Sequence, residues 1–334
     1  MTPLYWAIEQ KNTEIVTYLI DQGVNLEHKD SQNRSSIYWA ASCGEIPNLK
    51  LLLDAGCDPN VQSKLGRTAL SKACWNGFID VTRVLLETGK IDIDVKDNHG
   101  RTALHNAVWG SAGGRLGKKC GISETDSPEC AQLLLENGAD PNFEDNTGNS
   151  PLNIACSTFG INCMRLLISF GADINLKNNY GTSPFLSACY RGNYECCKVL
   201  YEYEELDPYV KTRHGYGPLE LAIEAGKDRV LQWVIDEKVN NNTEYKGLEL
   251  ESYDQEKLLH HAVNNPENAC KTLLQLANYV WSNNSDTVIS CFEDILNRAM
   301  LRKSKESVKT LLMFYQEKEL HQHFKFSEVI LECC

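Results

Sequence analysis

A short motif returns down this chain at a nearly fixed interval. Thr2-Pro3-Leu4 is answered by Ser35-Ser36-Ile37, Thr68-Ala69-Leu70, Thr102-Ala103-Leu104, Ser150-Pro151-Leu152 and Ser183-Pro184-Phe185, at steps of 33, 33, 34, 48 and 33 residues. Glycines that follow leucine-rich runs keep the same period, at Gly23, Gly56, Gly89, Gly138 and Gly171. A unit this small cannot bury its apolar face alone, so it must stack on its neighbours. The period therefore predicts a one-dimensional array rather than a single globular core.

The residues that recur are those a helix pair needs. Ser or Thr at a helix start accepts a hydrogen bond from an otherwise unpaired backbone N–H, and proline in the first turn has no donor to satisfy. Ala40, Ala73, Ala107, Ala155 and Ala188 lie five residues after these caps, where a small side chain lets a second helix come close. Leu51-Leu52-Leu53, Val84-Leu85-Leu86, Leu133-Leu134-Leu135 and Leu166-Leu167-Ile168 supply the apolar face of that second helix. The periodic glycine then ends it in a left-handed cap. Asp58-Pro59-Asn60 and Asn98-His99-Gly100-Arg101-Thr102 have the residues of tight turns between paired helices.

In the multi-position patterns Gly-x-Thr-Pro-Leu-x-x-Ala and Leu-Leu-x-x-Gly-Ala-Asp-x-Asn, the chain resembles the ankyrin-repeat family over roughly residues 2–236. The resemblance implies an all-α ankyrin-repeat solenoid of helix-turn-helix units with hairpin loops, about seven regular and two divergent repeats. The divergent units are Leu258-Leu259-His260-His261-Ala262 and Ile295-Leu296-Asn297-Arg298-Ala299 with their following leucine runs, and both lack the glycine cap and the hairpin. The expected domains are a regular array over 1–237, with an insertion at about 111–127, a polar joint or enlarged loop over 238–256, and divergent helical repeats over 257–334. Loop-closure entropy grows slowly with length, so the insertion is tolerated either as decoration or as a contact arm. Met1 leads straight into a helix start and the chain stops in the apolar run Val329-Ile330-Leu331-Glu332-Cys333-Cys334. Terminal repeats normally carry a polar outer face, so the expectation is that a partner subunit covers these ends or that the chain belongs to a longer polypeptide.

Chemistry beyond binding finds little support. No Cys-x-x-Cys pair is present, and His260-His261 and His321-x-His323 lack a second ligand pair at useful spacing, so no metal is expected. Gly113-Gly114-Arg115-Leu116-Gly117-Lys118-Lys119 misses the spacing and the Ser or Thr of a nucleotide loop. No cofactor and no catalytic residue is expected. Of the 14 cysteines, Cys130, Cys163, Cys196 and Cys270 share one position of the second helix and Cys74, Cys156 and Cys189 share one of the first, which marks them as core fillers. No run of the sequence approaches a membrane span, and no secretory signal opens it, which points to the cytoplasm or nucleus.

The resemblance also implies where a partner would lie, because ankyrin arrays usually bind along a concave face made by hairpin tips and first-helix ends. In this chain those positions are Lys64, Leu65, Arg67, Trp75 and Asn76, then His99, Arg101 and Trp109, then Tyr180, Tyr190 and Arg191, and finally Arg213, His214 and Tyr216. The set is aromatic and basic, against a chain with 33 Lys plus Arg and 45 Asp plus Glu, net −12. Trp, Tyr and Arg are the side chains in which binding energy concentrates. The competing reading is that Arg34, Arg67 and Arg101 pair with acidic residues of the adjacent hairpin and that tryptophan at a helix end packs on its neighbour. The partner expected is a protein presenting an acidic, extended or helical segment; net negative charge and the lack of a recognition motif disfavour nucleic acid. Asn60, Asn142 and Asn175 each follow an acidic residue by two places and a leucine by eight, which resembles the asparaginyl hydroxylation pattern of ankyrin repeats; turn closure alone also accounts for them. The expected function is a non-catalytic scaffold or adaptor, with the regulatory or targeting region of a larger enzyme or channel as the alternative.

Overall fold

The structure, a computed structural model, describes residues 2–111, 128–225, 227, 229–234, 308–309 and 311–314. The expected insertion over 112–127, the joint over 238–256 and nearly all of the divergent repeats over 257–334 lie outside the described residues. Among the described residues there are helices and turns and no strands. The chain divides into two compact units, Met1–Asn179 and Tyr180–Cys334. The first holds helices α1 (Pro3–Glu9), α2 (Thr13–Asp21), α3 (Ser36–Cys43), α4 (Ile46–Asp54), α5 (Ala69–Asn76), α6 (Ile79–Glu87), α7 (Ala103–Ser111), α8 (Glu129–Glu136), α9 (Pro151–Ser157) and α10 (Ile161–Ser169). The second holds α11 (Pro184–Arg191), α12 (Tyr194–Leu200) and α13 (Pro218–Glu224), followed by helical residues 229–234.

Each motif opens a helix for the reason its residues suggest. The hydroxyls of Thr2, Ser35, Thr68, Ser150 and Ser183 accept the N–H three residues on, from Tyr5, Tyr38, Ser71, Asn153 and Leu186, at 3.2–3.4 Å. The residue in that third position often reaches back to the cap. Asn153 Oδ1 accepts the Ser150 N–H at 3.1 Å, Glu220 Oε2 accepts the Gly217 N–H, and His105 Nδ1 accepts the Thr102 N–H at 3.2 Å. In the first unit the odd-numbered helices α1, α3, α5, α7 and α9 pack side by side, and α2, α4, α6 and α8 do the same behind them. Ala40, Ala73, Ala107 and Ala155 are buried between the layers, as is Ala188 in the second unit. Gly110 permits an even closer approach, because a Cβ there would stand 2.6 Å from the Trp75 carbonyl oxygen.

The hairpins are held from within and from the side. Within a hairpin one Asp collects the turn: Asp97 Oδ1 accepts the N–H groups of His99 and Arg101, Asp30 Oδ1 those of Gln32 and Arg34, and Asp145 Oδ1 those of Thr147 and Asn149. From the side, each hairpin donates backbone N–H groups to carbonyls of the one before: Lys64 to Gln32, Asn98 to Leu65, Asn146 to His99 and Asn179 to Thr147, at 2.8–3.0 Å. Asparagine side chains run parallel to this ladder, from Asn98 to the Lys64 carbonyl, from Asn146 to that of Asn98 and from Asn179 to that of Asn146. Gly100 sits at the tightest crossing, with φ +77°, and a Cβ there would lie 2.6 Å from the Asn146 nitrogen.

The cysteines behave as packing residues. Cys74, Cys130, Cys156, Cys163, Cys189 and Cys196 are all buried, and burial pushes the Cys130 thiol up to about 11 and Cys74 well above its ordinary value. A thiol so rarely ionised is a small hydrophobe. Cys270 lies outside the described residues.

Two consequences are measurable. Leu134 on α8 is fully buried, so Leu134→Ala should cost about 2–5 kcal/mol in urea unfolding, and a cost near zero would show that α8 packs in another register. His105 is buried, with Nδ1 held by Thr102 and Nε2 donating to the Asn149 carbonyl at 3.0 Å. Burial depresses its pKa below 6.5, and the facing charges of Asp145, Arg101 and Asp97 modulate that effect. The unfolded ring takes a proton near pH 6.5 while the folded one resists, so the stability it contributes is whole above pH 6.5 and is lost as pH falls below it. His105→Asn, the residue found at the equivalent place in Asn153, should keep the cap and flatten this loss. Urea midpoints at about pH 7.5 and about pH 5.5 should drop further for wild type than for the variant, and equal drops would refute the assignment.

Candidate protein-binding face

In the first unit the hairpin ladder sets successive first helices in register, so side chains at equivalent positions face the same way one repeat apart. Arg34, Arg67 and Arg101 each precede a cap, and each lays its guanidinium over a tryptophan: Arg34 over Trp39 at 4.4 Å, Arg67 over Trp75 at 5.4 Å and Arg101 over Trp109 at 4.6 Å. The Trp75 and Trp109 rings lie 6.3 Å apart at 34° to one another. Trp109 is 37% exposed, Leu65 is 54% exposed, and Lys64 and His99 also face solvent; Trp75, Arg67, Asn76 and Arg101 are half-buried.

The arginines differ in their counter-charges. Arg34 is neutralised within its own hairpin, Nε and Nη2 both 2.7 Å from Asp30 Oδ2. Arg67 has only a long contact to the adjacent hairpin, Nε to Asp97 Oδ2 at 3.6 Å. Among the described residues Arg101 makes no ion pair, and its buried Nε has no hydrogen-bond partner. The acidic-pairing reading thus accounts for Arg34, partly for Arg67, and not for Arg101. Beside them Lys72 donates its ammonium to Asn76 Oδ1 at 3.0 Å, and Asn76 Nδ2 donates to the Ser42 carbonyl at 3.1 Å, tying α5 to the end of α3. Burial, with repulsion from Arg67, pulls Lys72 below its ordinary pKa.

In the second unit Tyr180 and Tyr190 are 62% and 50% exposed, and Arg191 lies over Tyr190 at 6.0 Å. The Arg213 N–H donates to the Tyr180 carbonyl at 3.0 Å, which repeats the hairpin ladder and leaves the Arg213 and His214 side chains outside it. Tyr216 is half-buried and closes its hairpin, its N–H donating to Thr212 Oγ1 at 3.2 Å.

The asparagines with the hydroxylation pattern hold hairpins together. Asn60 Nδ2 donates to the Lys90 carbonyl at 2.8 Å and its Oδ1 accepts the Asp92 N–H at 3.0 Å; Asn142 does the same with Gly171 and Asp173 at 3.0 and 2.7 Å. Asn60, Asn142 and Asn175 each also close their own turn on an Asp two residues before. Sequence reasoning missed these bridges because their acceptors lie about a repeat away. It also missed Lys72 and Trp39, which stand at the fifth residue of the motif, where the other units carry Trp6, Asn106, Ile154 and Ser187.

Among the described residues no three His, Cys, Asp or Glu side chains are grouped to hold a metal, and no helix is long and apolar enough to cross a membrane. Layered helix pairs, laddered hairpins and a row of arginine-stacked aromatics define a helical repeat array with one decorated face. The family model for ankyrin repeats, in three copies, matches residues 1–63, 49–114 and 121–212. With more than half its length so matched, the chain belongs to the ankyrin-repeat family. It is similar to the ankyrin repeat and KH domain-containing protein mask-1 of Caenorhabditis elegans, 33% identical over 153 residues, which is 45% of this chain and 5% of that protein. It is similar also to the human B-cell lymphoma 3 protein, 30% identical over 159 residues, 45% of this chain and 32% of that protein. The chain thus spans under a third of each of these relatives. The crystal structure of the Bcl-3 ankyrin repeat domain superposes with a TM-score of 0.56 at 29% identity, covering 66% of this chain and 92% of that one. That of the human ASB11 ankyrin repeat domain gives 0.55 at 26% identity, with the same coverage. Ankyrin repeats generally mediate protein–protein interaction, and such domains are typically non-enzymatic interaction modules.

Proposed function

We propose that this chain is a non-catalytic scaffold or adaptor of the cytoplasm or nucleus that binds a protein partner through its hairpin tips and first-helix ends. The observation that supports it best is a basic side chain over an aromatic ring at equivalent positions of three repeats: half-buried Trp75 and exposed Trp109 under Arg67 and Arg101 in the first unit, and exposed Tyr190 beside its chain neighbour Arg191 in the second. Such rings bring large contact area at small entropic cost, and the cations above them favour an acidic partner segment.

The test is alanine truncation against a partner recovered by affinity purification with cross-linking. Trp109→Ala and Tyr190→Ala should each weaken that partner by about 2 kcal/mol or more while thermal unfolding stays as in wild type. Lys64→Glu, at an exposed hairpin tip, should act mainly on the association rate and its salt dependence. Normal binding by both alanine variants would remove this face from the interaction.

A further inference from the structure

We propose that Arg67, Lys72 and Arg101 form a two-site carboxylate receptor, and that its occupant is an extended partner segment with acidic side chains three residues apart. This rests on the binding face described above and specifies the sequence that the face would read.

The first site is Arg67 with Lys72. Both stand on one repeat, close enough that the guanidinium repels the ammonium, and among the described residues the one ion-pair contact is the long one from Arg67 Nε to Asp97, at 3.6 Å. Asp97 Oδ1 accepts two backbone N–H groups of its own hairpin, one of them that of Arg101, and among the described residues its Oδ2 makes only the long contact to Arg67. The Lys72 ammonium donates to one neutral amide oxygen. The second site is Arg101, a guanidinium over Trp109 that makes no ion pair among the described residues and whose buried Nε has no hydrogen-bond partner among them. Three cations beside one contacting carboxylate among the described residues, in a chain of net −12, are a local departure that an anionic partner would complete. Guanidinium groups held over indole rings, at 5.4 and 4.6 Å, have lost part of their freedom before a carboxylate binds, so less entropy is lost when one does.

Spacing selects the occupant. Arg67 and Arg101 occupy the same place on successive repeats, whose packed helices stand roughly 8–10 Å apart. A polyproline-type extended segment has three residues per turn and rises about 3.1 Å per residue, so residues i and i+3 project from one side about 9 Å apart. Residues i and i+2 of the same segment project in different directions and cannot reach both sites. The Trp75 and Trp109 rings, 6.3 Å apart, offer the intervening prolines or apolar residues a floor.

The probes are capped eight-residue peptides on the full chain: Pro-Pro-Glu-Pro-Pro-Glu-Pro-Pro, an isomer with its glutamates two residues apart, and a version with both replaced by glutamine. Fluorescence anisotropy should show the i, i+3 peptide binding roughly tenfold tighter than either control, and weakening as salt is raised. Arg101→Gln and Lys72→Gln should each lose most of that preference, while Arg101→Lys should retain part of it. Arg101 joins its hairpin through backbone groups that the substitution leaves in place, and the peptide comparison on the unaltered chain stands whatever a variant does to folding. Equal binding of the three peptides, preference for the i, i+2 isomer, or millimolar inorganic phosphate displacing the peptide without regard to glutamate spacing would each overturn the proposal. If the spacing fails while Trp109→Ala still weakens the native partner, the binding face stands and only its acidic register is wrong.

Discussion

The arrangement of this protein depends on the hydrogen bonds that run from one hairpin to the next. Lys64, Asn98, Asn146 and Asn179 each donate a backbone N–H to the preceding hairpin, and asparagine side chains double three of those links. The apolar packing of the helices is stronger in sum but has no direction. The ladder supplies that direction, and so converts a stack of helix pairs into one in which equivalent residues line up.

Alignment is what gives the arginine before each cap its significance. On a single repeat, Arg101 over Trp109 is a local cation–π pair of modest value. One repeat from Arg67 over Trp75, with the two rings 6.3 Å apart, it becomes part of a surface with a period. The same register decides which cations are neutralised. Arg34 finds Asp30 four residues away in its own turn, whereas the corresponding hairpin carries Ser63 before Arg67, so Arg67 reaches across to Asp97. Asp97 Oδ1 accepts the Arg101 backbone N–H, but among the described residues no carboxylate pairs with the Arg101 guanidinium. Arg67 and Arg101 thus share one hairpin carboxylate where Arg34 has its own, through a single Asp-to-Ser difference between repeats.

The buried polar groups follow one rule with several side chains. The third residue after each cap can reach back to the cap's own N–H, and His105, Asn153 and Glu220 all do so. Tyr5 and His105 also reach forward to the carbonyl that precedes the next cap, at Arg34 and Asn149. For Tyr5 the result is a phenol pushed by burial up to about 12; for His105 it is a neutral ring within an acid-sensitive junction. A position that looks variable in sequence is used in these repeats to satisfy the cap or the next hairpin, although Leu186 shows that an apolar side chain also stands there.

Local chemistry at a fixed period was enough to determine the helix pairs. Cap hydroxyls at Thr2, Ser35, Thr68, Ser150 and Ser183, the small alanines five residues on and the leucine runs act within a dozen residues of one another, so their consequences are legible without a third dimension. The family, the buried cysteines and the list of candidate face residues came from the same regularity. The tertiary structure alone decided which charges are paired, because Asp97 answers Arg67 from thirty residues away. It alone also showed the bridges made by Asn60 and Asn142, the contribution of Lys72, and the stacking that orders the arginines. These depend on the rotation and spacing between repeats, which the hairpin ladder and close crossings such as Gly100 against Asn146 set, and which no single repeat encodes.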